Sequence, residues 1–226
     1  MNAHLKEMNL AAAGLAHETR NPLNLIRGLA QMISRQPAAP EEIRDRSKAI
    51  MDEADRVTAQ LNEFINYSRP REVRRGAVPF NKVGGEITRA LALDAEDKQI
   101  QIEVPDGELM IEADDPLLRQ VLFNLLLNAV QAVPVGGHIA LSAHALEGGQ
   151  EAVIEIRDDG PGVPPAQRVE IFKPYVTMHQ SGTGLGLAIV HQIVSAHGWE
   201  IDCSANEPHG AVFTIRHVKL IPPRKS

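Results

Sequence analysis

The chain has 226 residues, 43% of them hydrophobic and 23% charged, a length and composition suited to two small globular domains or one domain with an appendage. A formal net charge of −6 gives no footprint for nucleic acid, and no apolar run reaches the roughly 18 residues of a membrane span, so neither partner is expected of this segment. The only cysteine, Cys203, excludes an internal disulfide and fits a reducing, cytoplasmic compartment.

The first seventy residues predict two helices. Leu5, Met8, Ala12, Leu15, Thr19, Pro22, Ile26, Leu29 and Ile33 recur at spacings of three and four, and so do Ile43, Ser47, Ile50, Ala54, Val57, Leu61, Phe64 and Ser68. This is the seam of a coiled-coil-like bundle. The connector Gln36-Pro37-Ala38-Ala39-Pro40 ends one helix, and Glu41 and Glu42 suit the start of the next. One hairpin has little to cover its seam, so two hairpins pairing as a four-helix bundle predict a homodimer; packing on the chain's own C-terminal domain is the alternative.

Residues 1–69 are therefore expected to form the hairpin, and the polar, prolyl stretch 70–79 a linker. Beyond it the pattern alternates. Helices are expected near 81–96, 115–133 and 183–197, and strands near 99–104, 109–113, 137–145, 151–158, 199–204 and 210–217. A Gly/Pro-rich stretch occupies 159–182. That mixture predicts an α/β sandwich over 80–218, one sheet covered by helices on a single face, with 219–226 as a C-terminal tail.

Several positions carry chemistry. His17 lies two residues after Leu15 and two before Thr19, which turns it from the seam toward solvent at about 100° per residue. Glu18 can accept the Nδ1–H of that ring and leave Nε2 as nucleophile. Pro22 cannot donate to the Glu18 carbonyl, so a bend is expected there. An exposed histidine beside a glutamate is, on its own, more often plain surface.

Asn124 and Asn128 share one face of a helix otherwise rich in leucine and valine. Asn128 could coordinate Mg²⁺ that also holds ATP phosphates; two amides bonded to backbone are the other reading. Asp158-Asp159-Gly160-Pro161-Gly162 follows an alternating strand, placing at its end a carboxylate able to accept the exocyclic amine of adenine, although Asp-Gly turns are common. Ile171-Phe172-Lys173-Pro174-Tyr175 reads as a hydrophobic latch or a packing loop. Gly182-Thr183-Gly184-Leu185-Gly186-Leu187 opens a helix, where glycines and unpaired N–H groups suit phosphate. No Gly-Lys-Ser/Thr run occurs, so this is not a Walker loop.

Taken together and in order, these segments resemble the sensor histidine kinases: HETRNPL the H-box, Asn124–Ala129 the N-box, the Asp158 run the G1 box, the Phe172 run the F-box, and Gly182–Leu187 the second glycine box. The resemblance covers roughly residues 5–218 and, by Asn128-Ala129-Val130-Gln131-Ala132 and a short lid, looks most like the nitrogen-regulatory subgroup. It implies His17 as phosphoacceptor, Glu18 as acid/base partner and Asn21 as the residue positioning water for dephosphorylation. It further implies ATP and Mg²⁺ held by Asn124, Asn128, Asp158, Gly160, Gly162, Thr177, Gly182, Thr183, Gly184, Leu185 and Gly186, with Asn128 the metal ligand. Its expected partner is the receiver domain of a response regulator. Related short lids carry Thr-Thr-Lys where this chain has Thr177-Met178-His179, a weaker cation, which predicts slow autophosphorylation. The segment reads as a truncated core, with any sensor or membrane anchor of the parent protein lying elsewhere.

Overall fold

The computed structural model describes residues 3–37, 39–68, 72–107, 109–177 and 183–222, with the side chains of 3–18, 59 and 62–68 outside the description. Its internal contacts divide the chain into two units, Met1–Pro70 and Arg71–Ser226.

The first unit is the expected hairpin, α1 (Ala3–Ser34) and α2 (Glu41–Ser68). Helix α1 continues through Pro22. Pro40 begins the second helix, its carbonyl accepting from the Ile43 and Arg44 amides at 3.0 and 3.1 Å, and Glu41 and Glu42 complement the helix dipole. The seam divides. Ser47 and Ala54 are buried with Ala30, whereas Ile26, Leu29, Ile33, Ile43 and Ile50 stay exposed. Small side chains let two helices approach closely, so α1 turns about one residue from the periodicity its larger side chains suggest. Arg27 pairs with Asp55 across the hairpin at 2.8 Å, an exposed contact worth ~0–1 kcal/mol.

The second unit is built on a five-stranded sheet, ordered β2 (Gln101–Glu103), β4 (His138–Ala145), β5 (Glu151–Asp158), β7 (Ala211–Lys219), β6 (Glu200–Ala205). Only the β2–β4 pair is parallel. Register aligns Leu141, Ile156, Phe213 and Cys203 in one row and Ala143, Ile154, Ile215 and Ile201 in the next. Alternation puts these rows on one face, where α3 (Phe80–Ala90), α5 (Asp115–Ala132) and α6 (Gly186–His197) supply the other half of the core. Helix α5 is apolar almost all round because it lies within that core: Leu118, Val121, Leu122, Leu125, Leu126, Ala129 and Val130 are all buried.

Three expectations shift. The helix near 81–96 breaks at Leu91, which leaves helical geometry (φ −96°, ψ 6°) and is followed by α4 (Ala92–Asp97). The helix expected from Thr183 begins at Gly186, since Gly184 has a positive φ of 68°. Inside the stretch read as linker, Gly76–Pro79 form β1, paired antiparallel with β3 (Met110–Ala113). The second unit thus starts before the boundary expected at 80.

Candidate functional site

Strand β5 ends on Asp158, whose side chain is 4% exposed. Its Oδ1 accepts from the Gly160 amide at 3.0 Å and the Ala211 amide at 3.2 Å. Oδ2 has no hydrogen bond among the described residues and is the oxygen left for a ligand. Burial raises the pKa of this carboxyl above the ordinary value, opposed by the two amides, while neighbouring Asp159 adds to the rise. A donor such as an exocyclic amine would favour the charged form.

Close backbone packing explains the glycines. A Cβ at Gly160 would lie 2.9 Å from Asp158 Oδ1, and one at Gly162, whose φ is 72°, would lie 2.7 Å from the Gly210 carbonyl oxygen. Three residues that motif reading missed complete this corner. Asn206 Nδ2 donates to the Asp158 carbonyl at 2.9 Å, Ala211 supplies an amide, and Gly210 (φ 112°) packs so closely that a Cβ there would meet that carbonyl at 1.8 Å. The signal available was a turn-type Asn and Gly flanking the last hairpin, which is weak without the strand register.

Helix α5 begins with Asp114 as its N-cap, Oδ1 accepting from the Leu117 amide at 3.2 Å, and Pro116 in the first turn. Two turns on, Asn124 Nδ2 donates to the Gly186 carbonyl at 3.2 Å. That bond joins the asparagine helix to the glycine loop. Asn128 is half-buried and its side chain makes no hydrogen bond among the described residues. Its amide oxygen suits a hard cation that takes its remaining ligands from phosphates and water, as Mg²⁺ does. Among the described residues no group of three or more His, Cys, Asp or Glu could hold a metal alone.

The glycine loop is fixed on its far side. Thr183 Oγ1 accepts from the Leu185 amide at 3.3 Å, and the Gly184 carbonyl accepts from the Tyr175 amide at 2.9 Å. A Cβ at Gly184 would collide with the Tyr175–Val176 backbone at 2.6–2.7 Å. Gly186 faces open space. Leu185 is buried, Thr177 is exposed, and Gly182 and His179 lie outside the described residues. Phe172 packs edge-on against Phe213 at 6.3 Å and beside His191 at 5.9 Å, anchoring one end of the expected lid. In the other unit, His17 and Glu18 lie on the helical backbone of α1 with side chains outside the description, and Asn21 is exposed.

The phosphoacceptor family described as "His Kinase A (phospho-acceptor) domain" matches residues 7–72, and "Histidine kinase-, DNA gyrase B-, and HSP90-like ATPase" matches 113–221. The chain carries the two-domain core of a sensor histidine kinase. Over 206 residues it is 37% identical to sensor histidine kinase ZraS of Escherichia coli (strain K12), covering 90% of this chain and 44% of that protein. This kinase core therefore spans less than half of that relative. Among solved structures, full-length ShkA in complex with AMPPNP is 28% identical with a TM-score of 0.80, covering 94% of this chain and 46% of that one. Histidine kinase ThkA in complex with response regulator TrrA is 25% identical with a TM-score of 0.68, covering 98% and 64%. No helix among the described residues is long and apolar enough to cross a membrane.

Proposed function

We propose that this kinase core binds ATP in its second unit, phosphorylates His17 of its hairpin, and passes the phosphoryl group to an aspartate of a response-regulator receiver domain. The Asn124–Gly186 hydrogen bond carries the reading, because it brings together two nucleotide motifs 62 residues apart. Asp158 accepts the adenine amine, and the loop from Gly182 to Gly186 and the α6 N-terminus receive the phosphates, with Thr177, Thr183 and Leu185 beside them. Asn128 holds Mg²⁺, which when bound neutralises phosphate charge. His17 Nε2 attacks the γ-phosphorus; an N–P bond forms as the bond to the bridging oxygen breaks, and ADP leaves. Glu18 accepts the Nδ1–H and stabilises the charged ring. Most of the rate gain comes from positioning and charge neutralisation.

The active form is a homodimer through residues 1–69, and the core works in the cytoplasm. The exposed seam residues Ile26, Leu29, Ile33, Ile43 and Ile50 support pairing, since a four-helix bundle would cover them. Asn21, exposed on α1, positions water for dephosphorylating the regulator. The likeness to ThkA, solved with a response regulator, supports that class of partner. The resemblance of residues 128–132 supports a nitrogen-regulatory-like subgroup.

The test is incubation with γ-labelled ATP and Mg²⁺. Wild type should gain acid-labile label that chases to the regulator, His17→Ala none, and Asn128→Ala little. Asn21→Ala should take up label yet leave the phosphorylated regulator intact. Label retained by His17→Ala sinks the acceptor assignment.

A further inference from the structure

Lys98 lies upstream of the matched ATPase segment, yet its ammonium reaches the C-terminal end of α5. It donates to the carbonyls of Val130 at 2.9 Å, Gln131 at 3.0 Å and Val133 at 3.3 Å. An ammonium has three donors and the last turn of a helix has carbonyls lacking intrahelical partners, so one side chain satisfies three of them while its charge meets the negative end of the dipole. The backbone around it grips the following turn as well: the Lys98 carbonyl accepts from the Gly136 amide at 2.8 Å, and the Gln101 amide donates to Gly137 at 3.0 Å.

That turn supports the adenine corner. The Ala132 carbonyl lies 3.4 Å from where a Cβ of Gly160 would stand, and Asp159 Oδ1 is 2.6 Å from the corresponding point on Gly137. Asp159 Oδ2 accepts from the His138 amide at 2.9 Å, just past the turn. Gly160 in turn donates its amide to Asp158 Oδ1. The contacts run unbroken from Lys98 through the end of α5 to Gly160 and Asp158.

We propose that Lys98 is a positioning residue for the adenine end of the nucleotide site, holding the α5 C-terminal turn against which the Asp158–Gly160 loop is seated. This rests on the reading of Asp158 as the acceptor for adenine. Removing the ammonium leaves the two backbone bonds, so the fold persists while the loop loses its fixed backing. The carboxylate then meets the amine out of line, and base selectivity falls, whereas phosphate binding at the α6 N-terminus does not change.

The test compares ATP with inosine triphosphate, whose base carries a carbonyl in place of the amine, on wild type, Lys98→Met and Lys98→Arg, each with Mg²⁺. Wild type should prefer ATP. Lys98→Met should raise the Kd for ATP about tenfold, the order expected from misaligning one hydrogen bond to a carboxylate, with little change for inosine triphosphate. Lys98→Arg, which keeps charge and donors, should restore most of the preference. Labelling of His17 at saturating ATP should stay near wild type, a KM effect without a kcat effect. An unchanged ATP-to-inosine preference in Lys98→Met overturns the proposal, whether or not its melting temperature falls. A wild type with no preference overturns the adenine reading itself, and the proposal with it.

Discussion

Asp158 shows how one side chain can be costly to the empty fold and still suited to accepting from an amine. Burial pushes its pKa up, so the folded protein holds its proton to higher pH than the unfolded chain does. Stability contributed by the protonated form is present at low pH and declines as pH rises from the ordinary carboxyl value through the raised one. At neutral pH the apo protein carries that cost. Asp158→Asn should therefore melt no lower than wild type, because the amide oxygen can still accept from Gly160 and Ala211. Its affinity for ATP should nevertheless fall tenfold or more, roughly the loss expected when a donor faces a donor. Calorimetry paired with a nucleotide titration checks both halves, and a variant that binds ATP normally would contradict the assignment.

At the level of elements, His197 ties three of them together. The α6 helix ends in Gly198 at φ 73°, with the Trp199 amide bonded back to the Val194 carbonyl at 3.0 Å. His197 itself is buried and stacked on Trp199 at 4.2 Å. Its Nδ1 lies 2.8 Å from the Ile193 carbonyl and so carries the proton, while Nε2 accepts from the Asp114 amide at 3.1 Å. The His197 carbonyl receives the Arg75 guanidinium at 2.7 Å, and Asp114 Oδ2 receives the Arg74 amide at 2.8 Å. The neutral ring thus joins the end of α6 to the start of α5, while the His197 carbonyl and the Asp114 carboxylate hold the segment leading into β1.

Burial holds the His197 pKa below its ordinary value, opposed by its bond to Ile193 and the nearby Asp114 and reinforced by Arg75. The unfolded chain binds the proton first as pH falls, so stability is full above about 6.5 and drops below it, by at most about 1.4 kcal/mol per pH unit for one proton. Melting temperatures from pH 7.5 to 5 should show this loss in wild type and a flatter profile in His197→Gln. Equal slopes in the two proteins would remove His197 as the cause.

At the scale of the whole molecule, the hairpin cannot cover its own apolar surface. Leu29 is 52% exposed and Ile50 46% exposed, and both belong to the seam in which Ser47 and Ala54 are buried. Burying a leucine or isoleucine side chain contributes about 1.5–3 kcal/mol, so pairing two hairpins gains several such terms. Leu29→Glu combined with Ile50→Glu should shift wild-type dimer to monomer in sedimentation at micromolar concentration, because a charge buried without a partner costs several kcal/mol. The ATPase-type unit should still bind nucleotide in that variant. Dimers that persist would place the interface elsewhere.

Local signals were enough for most elements and for the order of the nucleotide motifs. Strand β5 runs over 151–158 as its alternation predicts, and α5 over 115–132, within a residue of the 115–133 expected. These features depend on neighbours a few residues away, so they are legible in the chain itself. Strand β1 was not, because Gly-Ala-Val-Pro carries no alternation and becomes a strand only by pairing with β3 more than thirty residues later. The division of the seam required knowing which side of each helix the other one covers. The support of Asp158 by Asn206, Gly210 and Ala211, and of α5 by Lys98, required strand register and chain crossings. The sequence by itself determined which residues could do the chemistry, since identity and short spacing carry that. Only the tertiary structure decided what holds them in place, because those contacts join residues far apart in the chain whose meeting is a property of the packed whole.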